Sequence, residues 1–158
     1  MGNLKLSIRP ATSTDLPAMM ALEKHAATAA HWSVEQYEAL FHALSPGRIA
    51  LIIQGEAQPG EGQVQGWVIA RAVGVEWEIE NIAIAGLARR QGLGTRLLGE
   101  LLDLARTSSA ESVFLEVRES NRAARALYEK CSFTETGRRK KYYQDPEEDA
   151  VLYRIAFA

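Results

Sequence analysis

The sequence is poor in several things, and each shortage narrows what the chain can be. It has a single cysteine, Cys131, so no internal disulfide framework is available, and one thiol fits a reducing compartment. No apolar run approaches the ~18 residues that a membrane span needs. The opening MGNLKLSIRP lacks the apolar core of a signal peptide, and the reading expects a cytoplasmic protein. The net charge is only -2, which does not indicate wholesale nucleic-acid binding. No G-x-x-x-x-G-K-[ST] phosphate loop is present, and Leu97 stands where a dinucleotide fingerprint would place its third glycine. His25, His31 and His42 lack metal-ligand spacing with any cysteine or carboxylate pair, so no metal is expected.

What is present is an ordinary globular composition: 158 residues, 47% hydrophobic and 24% charged, enough for one domain over 1–158 with a real core. The charge is uneven. Residues 86–141 carry twelve Lys/Arg against seven Asp/Glu (+5), and the rest carry six against thirteen (-7). This is either solvated surface charge or a basic half meeting an anion beside an acidic half meeting a cation.

Periodicity gives the element order βααβββαβαββ. LKLSIRP, RIALIIQ, VQGWVIARAV, VEWEIENIAIA, SVFLEVRE, TETGRRKKYY and AVLYRIAF read as strands. TSTDLPAMMALEKHAATAA, WSVEQYEALFHAL, GTRLLGELLDLARTSS and SNRAARALYEKCSF read as helices, the second opened by a Ser33/Gln36 capping box. Leu97, Leu98, Leu101, Leu102 and Ala105 form the inward face of the third helix. The order implies a single α/β (α+β) sheet with helices packed on it. Within VEWEIENIAIA the apolar alternation changes parity between Ile79 and Ile82. A β-bulge at Glu80–Asn81 or burial of both faces would produce this.

The stretch IAIAGLARRQGLGTRLLGELL joins that strand to the third helix through Gly92 and Gly94. Main-chain N–H groups at a helix start, with Arg89, Arg90 and Arg96 nearby, suit phosphate oxygens. A structural turn without ligand is the other reading. In SVFLEVRE, the mid-strand Glu116 is either a salt-bridged carboxylate, with Arg118 or Arg90 as partner, or a general base. Asn121 and Tyr128 are seven residues apart and share a helix face, with small Ala124 between them. They are either a cap and a half-buried core residue, or groups facing a ligand.

RRQGLG, from Arg89 to Gly94, resembles the R/Q-x-x-G-x-G/A acyl-CoA motif of the GNAT superfamily of N-acetyltransferases, and IENIAIA and ESNRAARALYEKCSF resemble its flanking elements in order. HWS at 31–33, FLEVRESN at 114–121 and GRRKKYYQDPEEDAVLY from 137 are similar to the RimI-type enzymes, which acetylate the N-terminal alanine of a small-subunit ribosomal protein. The resemblance covers essentially the whole chain. It implies a mixed, mostly antiparallel central sheet with helices on both faces, and acetyl-CoA as co-substrate. It implies Ile82, Ala83, Ile84, Arg89, Arg90, Gln91, Gly92, Leu93, Gly94, Thr95 and Asn121 as cofactor contacts. It assigns base to Glu116 and acid to Tyr128, with Trp32 and Tyr142 lining the acceptor groove. Glu78 and Glu80 are acidic candidates for meeting a cationic N-terminus. The expected partner is a protein N-terminus on a ribosomal protein, with no membrane and no direct nucleic-acid binding. A lysine or small-amine acetyltransferase and a non-catalytic acyl-CoA-binding module are the alternatives. One departure stands out: the family carries Leu-Gly before the phenylalanine of LYEKxGF, and here Cys131-Ser132 precede Phe133. Ser132 would have to adopt a positive φ.

Overall fold

The computed structural model describes residues 5–24, 32–41, 47–58, 61–85 and 92–157. Arg89, Arg90, Gln91, His25, His31 and His42 lie outside the described residues. Seven strands are described: β1 (Lys5–Pro10), β2 (Arg48–Gln58), β3 (Glu61–Val73), β4 (Glu76–Ile84), β5 (Ser112–Arg118), β6 (Thr134–Tyr143) and β7 (Glu148–Ala156). They form one sheet in the order β1-β2-β3-β4-β5-β7-β6. All neighbouring pairs are antiparallel except β4–β5, which is parallel. The helices are α1 (Leu16–Glu23), α2 (Val34–Leu40), α3 (Leu93–Thr107) and α4 (Arg122–Lys130), with a short 3-10 turn before α1. The element order is the one the periodicity implies. β2 and β3 run beyond the stretches RIALIIQ and VQGWVIARAV, to Gln58 and from Glu61, and pair with each other.

Each face of the sheet buries its own core. On one face, Leu97, Leu98, Leu101, Leu102 and Ala105 of α3 and Ala124 and Tyr128 of α4 pack on Val68, Trp77, Ile79, Ile82 and Val113. On the other, Met19 of α1 and Tyr37 and Leu40 of α2 pack on Ile52, Trp67, Ile69 and Ala83. Helices thus cover both faces, as the resemblance implies. Burying these apolar side chains, at roughly 1.5–3 kcal/mol each, is the main force holding the layers together.

The parity change in β4 has a definite origin. Ile69 of β3 pairs with Asn81 and the next residue, Ala70, with Ile79, so Glu80 is the extra residue of a bulge. Beyond it, Asn81, Ile82, Ala83 and Ile84 are all buried, so both explanations of the sequence pattern hold at once. The bulge places Glu80 and Asn81 on the face covered by α1 and α2, and returns Ile82 and Ile84 to the core under α3.

Helix ends follow local sequence. Ser33 accepts from Gln36 N and the Gln36 side chain accepts from Ser33 N, completing the predicted capping box. At the end of α4, Ser132 has φ +74, Ser132 N donates to Glu129 O and Phe133 N to Tyr128 O. This is a Schellman closure with serine at the left-handed position, accompanied by a Tyr128–Phe133 ring contact.

Candidate active site

β4 and β5 pair only through Glu76–Ser112, Trp77–Val113 and Glu78–Phe114. Beyond that point they part. The segment 79–84 of β4 keeps its ladder with β3, and the segment 115–118 of β5 keeps its ladder with β7. Ala85 N donates to Gln65 O, so by the alternation of an antiparallel ladder the main chain of Ile84 is directed to the side that β5 has left. A wedge therefore opens between two strands of one continuous sheet, and a chain-like ligand can enter it.

The start of α3 closes one end of this wedge. Gly92, the N-cap, has φ +76, carries no side-chain cap, and a Cβ there would meet nothing within 4 Å among the described residues. The main-chain N–H groups of Leu93, Gly94 and Thr95 head a 15-residue helix, which suits phosphate oxygens. Gly94 has a different reason to be glycine: its Cβ would stand 3.0 Å from Leu127 Cδ2 of α4 and 3.7 Å from Ile84 Cγ1. That close approach brings the end of β4, the start of α3 and α4 together. The Leu93 side chain is buried, leaving its main chain to act. The Asn121 side chain accepts from Ala124 N and so caps α4. Ala124, between Asn121 and Tyr128, is fully buried in the core.

Glu116 and Tyr128 lie on opposite faces of β5. Leu115 and Val117 join the core that holds Tyr128, while Glu116 between them faces the other way. Tyr128 is buried against Phe133 and Tyr153, and burial pushes its phenol above the ordinary value. It therefore stays protonated and can donate a hydrogen bond across the working pH range. Glu116 Oε1 lies 3.0 Å from Arg139 Nε, not beside Arg118, which pairs with Glu148. The charge of Glu116 pushes the neighbouring Tyr142 hydroxyl upward, and burial together with Glu116 holds Tyr143 up to about 12.

The face of Glu116 also carries Glu78, Glu80 and Trp32. Burial, then Glu80 and Glu116, raise Glu78 above the usual carboxylate range. Arg48 grips Glu80 through two bonds, of 3.0 and 3.1 Å, and its guanidinium lies 5.4 Å from the Trp32 ring. The Trp32 amide donates to Glu23 Oε1 at 2.6 Å, and Asn81 Nδ2 donates to the same oxygen at 3.3 Å. The structure thus gathers Trp32, Glu80, Glu116 and Tyr142 on one side of the wedge and Gly92–Thr95 with Tyr128 on the other. Sequence reasoning missed Glu23, Arg48 and Arg139. No local pattern marks them, since each acts on a residue of another element. Cys131 is half-buried, and burial pushes its thiol up.

A wedge open between β4 and β5, a helix start without a side-chain cap at its end and a carboxylate on the far face fit an acyl thioester on a phosphate-bearing carrier. Comparison with known proteins agrees. The GNAT acetyltransferase family model matches residues 16–133. The Escherichia coli K12 [ribosomal protein bS18]-alanine N-acetyltransferase is 35% identical over 145 residues, covering 90% of this chain and 92% of that protein. The crystal structure of the ribosomal-protein-S18-alanine N-acetyltransferase from Escherichia coli superposes with a TM-score of 0.80 at 30% identity, covering 98% of this chain and 95% of that one. Arabidopsis thaliana NAA60 in complex with acetyl-CoA shares the fold, with a TM-score of 0.85 at 16% identity over 97% of this chain and 99% of that one. The chain belongs to the GNAT family of acetyltransferases, enzymes that take their acetyl group from acetyl-CoA.

Proposed function

We propose that this chain, as one domain over 1–158, acetylates the N-terminal α-amine of a protein, with the N-terminal alanine of a small-subunit ribosomal protein as acceptor. The observation that carries the reading is the position of Glu116. It lies on β5 two residues past the last pair with β4, on the face away from α3, where an amine can approach the wedge opposite the carrier. The 35% identity to an enzyme named for ribosomal-protein alanine acetylation supports the choice of acceptor.

Ile82, Ala83 and Ile84, with Arg89, Arg90, Gln91, Gly92, Leu93, Gly94, Thr95 and Asn121, hold the carrier. Acetyl-CoA, when bound, supplies a thioester acyl group. The main chain at 82–84 polarises the acyl carbonyl. An α-amine has a pKa of ~7.7–8.0 against ~10.4 for lysine, so near neutral pH it offers several hundred times more neutral nucleophile. Glu116 receives the proton that the attacking amine loses, directly or through one water. Tyr128, kept protonated by its burial, is the general acid: it gives its phenolic proton to the departing thiolate and regains one from solvent. Trp32, Glu80 and Tyr142 line the acceptor side. Transfer is direct: the raised pKa of Cys131 disfavours the thiolate that an acyl-enzyme would need.

The test is intact-mass analysis of peptides incubated with acetyl-CoA and enzyme. One peptide carries a free N-terminal alanine, one is N-terminally blocked with an internal lysine, and spermidine is the third acceptor. Acetylation of the free N-terminus alone is expected, with kcat reduced about 10²-fold or more in Glu116→Gln and in Tyr128→Phe. Acetylation of the blocked peptide or of spermidine at comparable rate would reassign the acceptor, and unchanged rates in the two variants would remove the proposed acid and base.

A further inference from the structure

The β4 bulge puts two consecutive residues on the acceptor face, and each is tied to Trp32 by a different side chain. Glu80 is gripped by Arg48, whose guanidinium also lies over the Trp32 ring. Asn81 donates to Glu23, whose same oxygen takes the Trp32 amide. The Trp32 ring is further packed against Tyr37 at 5.5 Å. Arg48 and Glu80 are both largely shielded, at 21% and 16% side-chain exposure, so removing one partner leaves the other as an uncompensated shielded charge. Glu23 is buried at 6% exposure. Two separate clamps therefore join one aromatic residue to one irregularity in the sheet, and the next residues along β4 are Ile82–Ile84.

We propose that Arg48 and Glu23 are positioning residues for the acceptor: they lock Trp32 to Glu80 and Asn81, so that the wall facing the acceptor and the strand segment facing the thioester are set as one unit. The proposal rests on the reading of Trp32 as an acceptor contact. It also changes the part played by Glu80. The charge of Glu80 is already met by Arg48, so Glu80 serves the acceptor through Arg48 and Trp32 rather than by pairing with the amine. Neither clamp reaches the start of α3, so the phosphate-binding end of the carrier site is not part of the unit.

Steady-state kinetics with separate KM values for acetyl-CoA and acceptor peptide, on whichever of the three acceptors the wild type uses, tests this. In Arg48→Met the acceptor KM is expected to rise about tenfold, with the acetyl-CoA KM within twofold of wild type. Glu80→Gln should do the same, and the double variant should be no worse than either alone, because both remove one clamp. If Arg48→Met leaves Glu80 buried without a partner and does not fold, the Arg48→Met/Glu80→Met pair, with no buried charge, replaces it in the comparison. Hydrogen exchange at the Trp32 amide gives a readout independent of turnover. Protection should fall in Glu23→Leu and return in Glu23→Gln, whose amide oxygen still accepts. Equal rises in both KM values, independent effects of Arg48 and Glu80, or Trp32 protection that survives Glu23→Leu would each overturn the proposal. A wild type that acetylates only lysine or spermidine would instead refute the N-terminal reading, and the two clamps would be scored on that amine.

Discussion

Glu78 of β4 stands opposite Phe114 in the last pair that joins β4 to β5, and two residues later Glu80 is the residue that β3 leaves without a partner. The strands part and the bulge forms within one turn of the pleat. The bulge decides which residues face the wedge after the parting, since a one-residue slip exchanges the two faces of a strand.

Deleting Glu80 should remove the bulge together with a charge. Because Ile79 and Asn81 already pair with the adjacent Ala70 and Ile69, the deletion closes the bulge and leaves Asn81, Ile82, Ala83 and Ile84 on the faces they occupy now. The core is kept, and the cost falls on Arg48, which loses both of its bonds to Glu80, about 1–3 kcal/mol. Denaturant unfolding would measure it, and loss of the folded state on deletion would mean that the bulge itself, rather than the core on each face, holds the register of β4.

Gly92 and Gly94 should respond to alanine for different reasons. Gly92→Ala meets none of the described residues within 4 Å but must hold φ +76, at a cost of about 1–2 kcal/mol, and Gly92→Asn should recover part of it. Gly94→Ala keeps a helical backbone but presses on Leu127 Cδ2 at 3.0 Å, the mobile end of a half-buried side chain. About 1 kcal/mol is expected, and Gly94→Ala/Leu127→Ala should relieve the contact. Thermal melts of the four variants separate backbone strain from crowding.

Two helices close on serine in the left-handed region. Ser109 has φ +67, with Ser109 N donating to Arg106 O and Ala110 N to Ala105 O, the same closure that Ser132 gives α4. Both serines are exposed, so a glycine loses no packing there. Ser109→Gly and Ser132→Gly should each stabilise by about 0.5–1 kcal/mol and add together, raising Tm without touching the site. A fall in Tm for either would contradict the assignment of strain.

Two carboxylates should respond to pH in opposite senses. Arg9 holds Asp15 below its ordinary value through bonds of 2.8 Å to both oxygens. That stability is present above the unfolded pKa of ~3.9 and is lost as pH falls through the lower folded value. Asp15→Asn should thus cost about 1–2 kcal/mol at pH 7 and progressively less below pH ~3.9. Glu78 is held above its ordinary value by burial, then by Glu80 and Glu116. The neutral form is favoured in the fold, so the penalty is absent below the unfolded pKa of ~4.3 and grows as pH rises through the folded value. Glu78→Gln should match wild type in acid and exceed it at neutral pH. Melting curves across this range would expose a reversed sign in either.

Much of the molecule is set by neighbours in sequence. The order of elements, the buried face of α3, the Ser33/Gln36 cap and the positive φ of Ser132 all follow from periodicity, capping and backbone sterics, which act over a few residues. The glycine-loop resemblance belongs to the same class, because it is read from one continuous run of sequence. The parity break at Glu80–Asn81 was also visible, although only the pairing with β3 shows that a bulge and two-sided burial coexist.

The remainder was decided by which strands lie beside which. Glu116 meets Arg139 across β7, and Arg48 meets Glu80 from 32 residues away. Glu23 collects Trp32 and Asn81 from two different elements. The sequence by itself determined the helices, the strands and the helix start that suits phosphate, because those depend on local hydrogen bonding and side-chain period. Only the tertiary structure decided the partners of the carboxylates and the place where the sheet opens, because ion pairing and strand separation depend on the register of segments far apart in the chain.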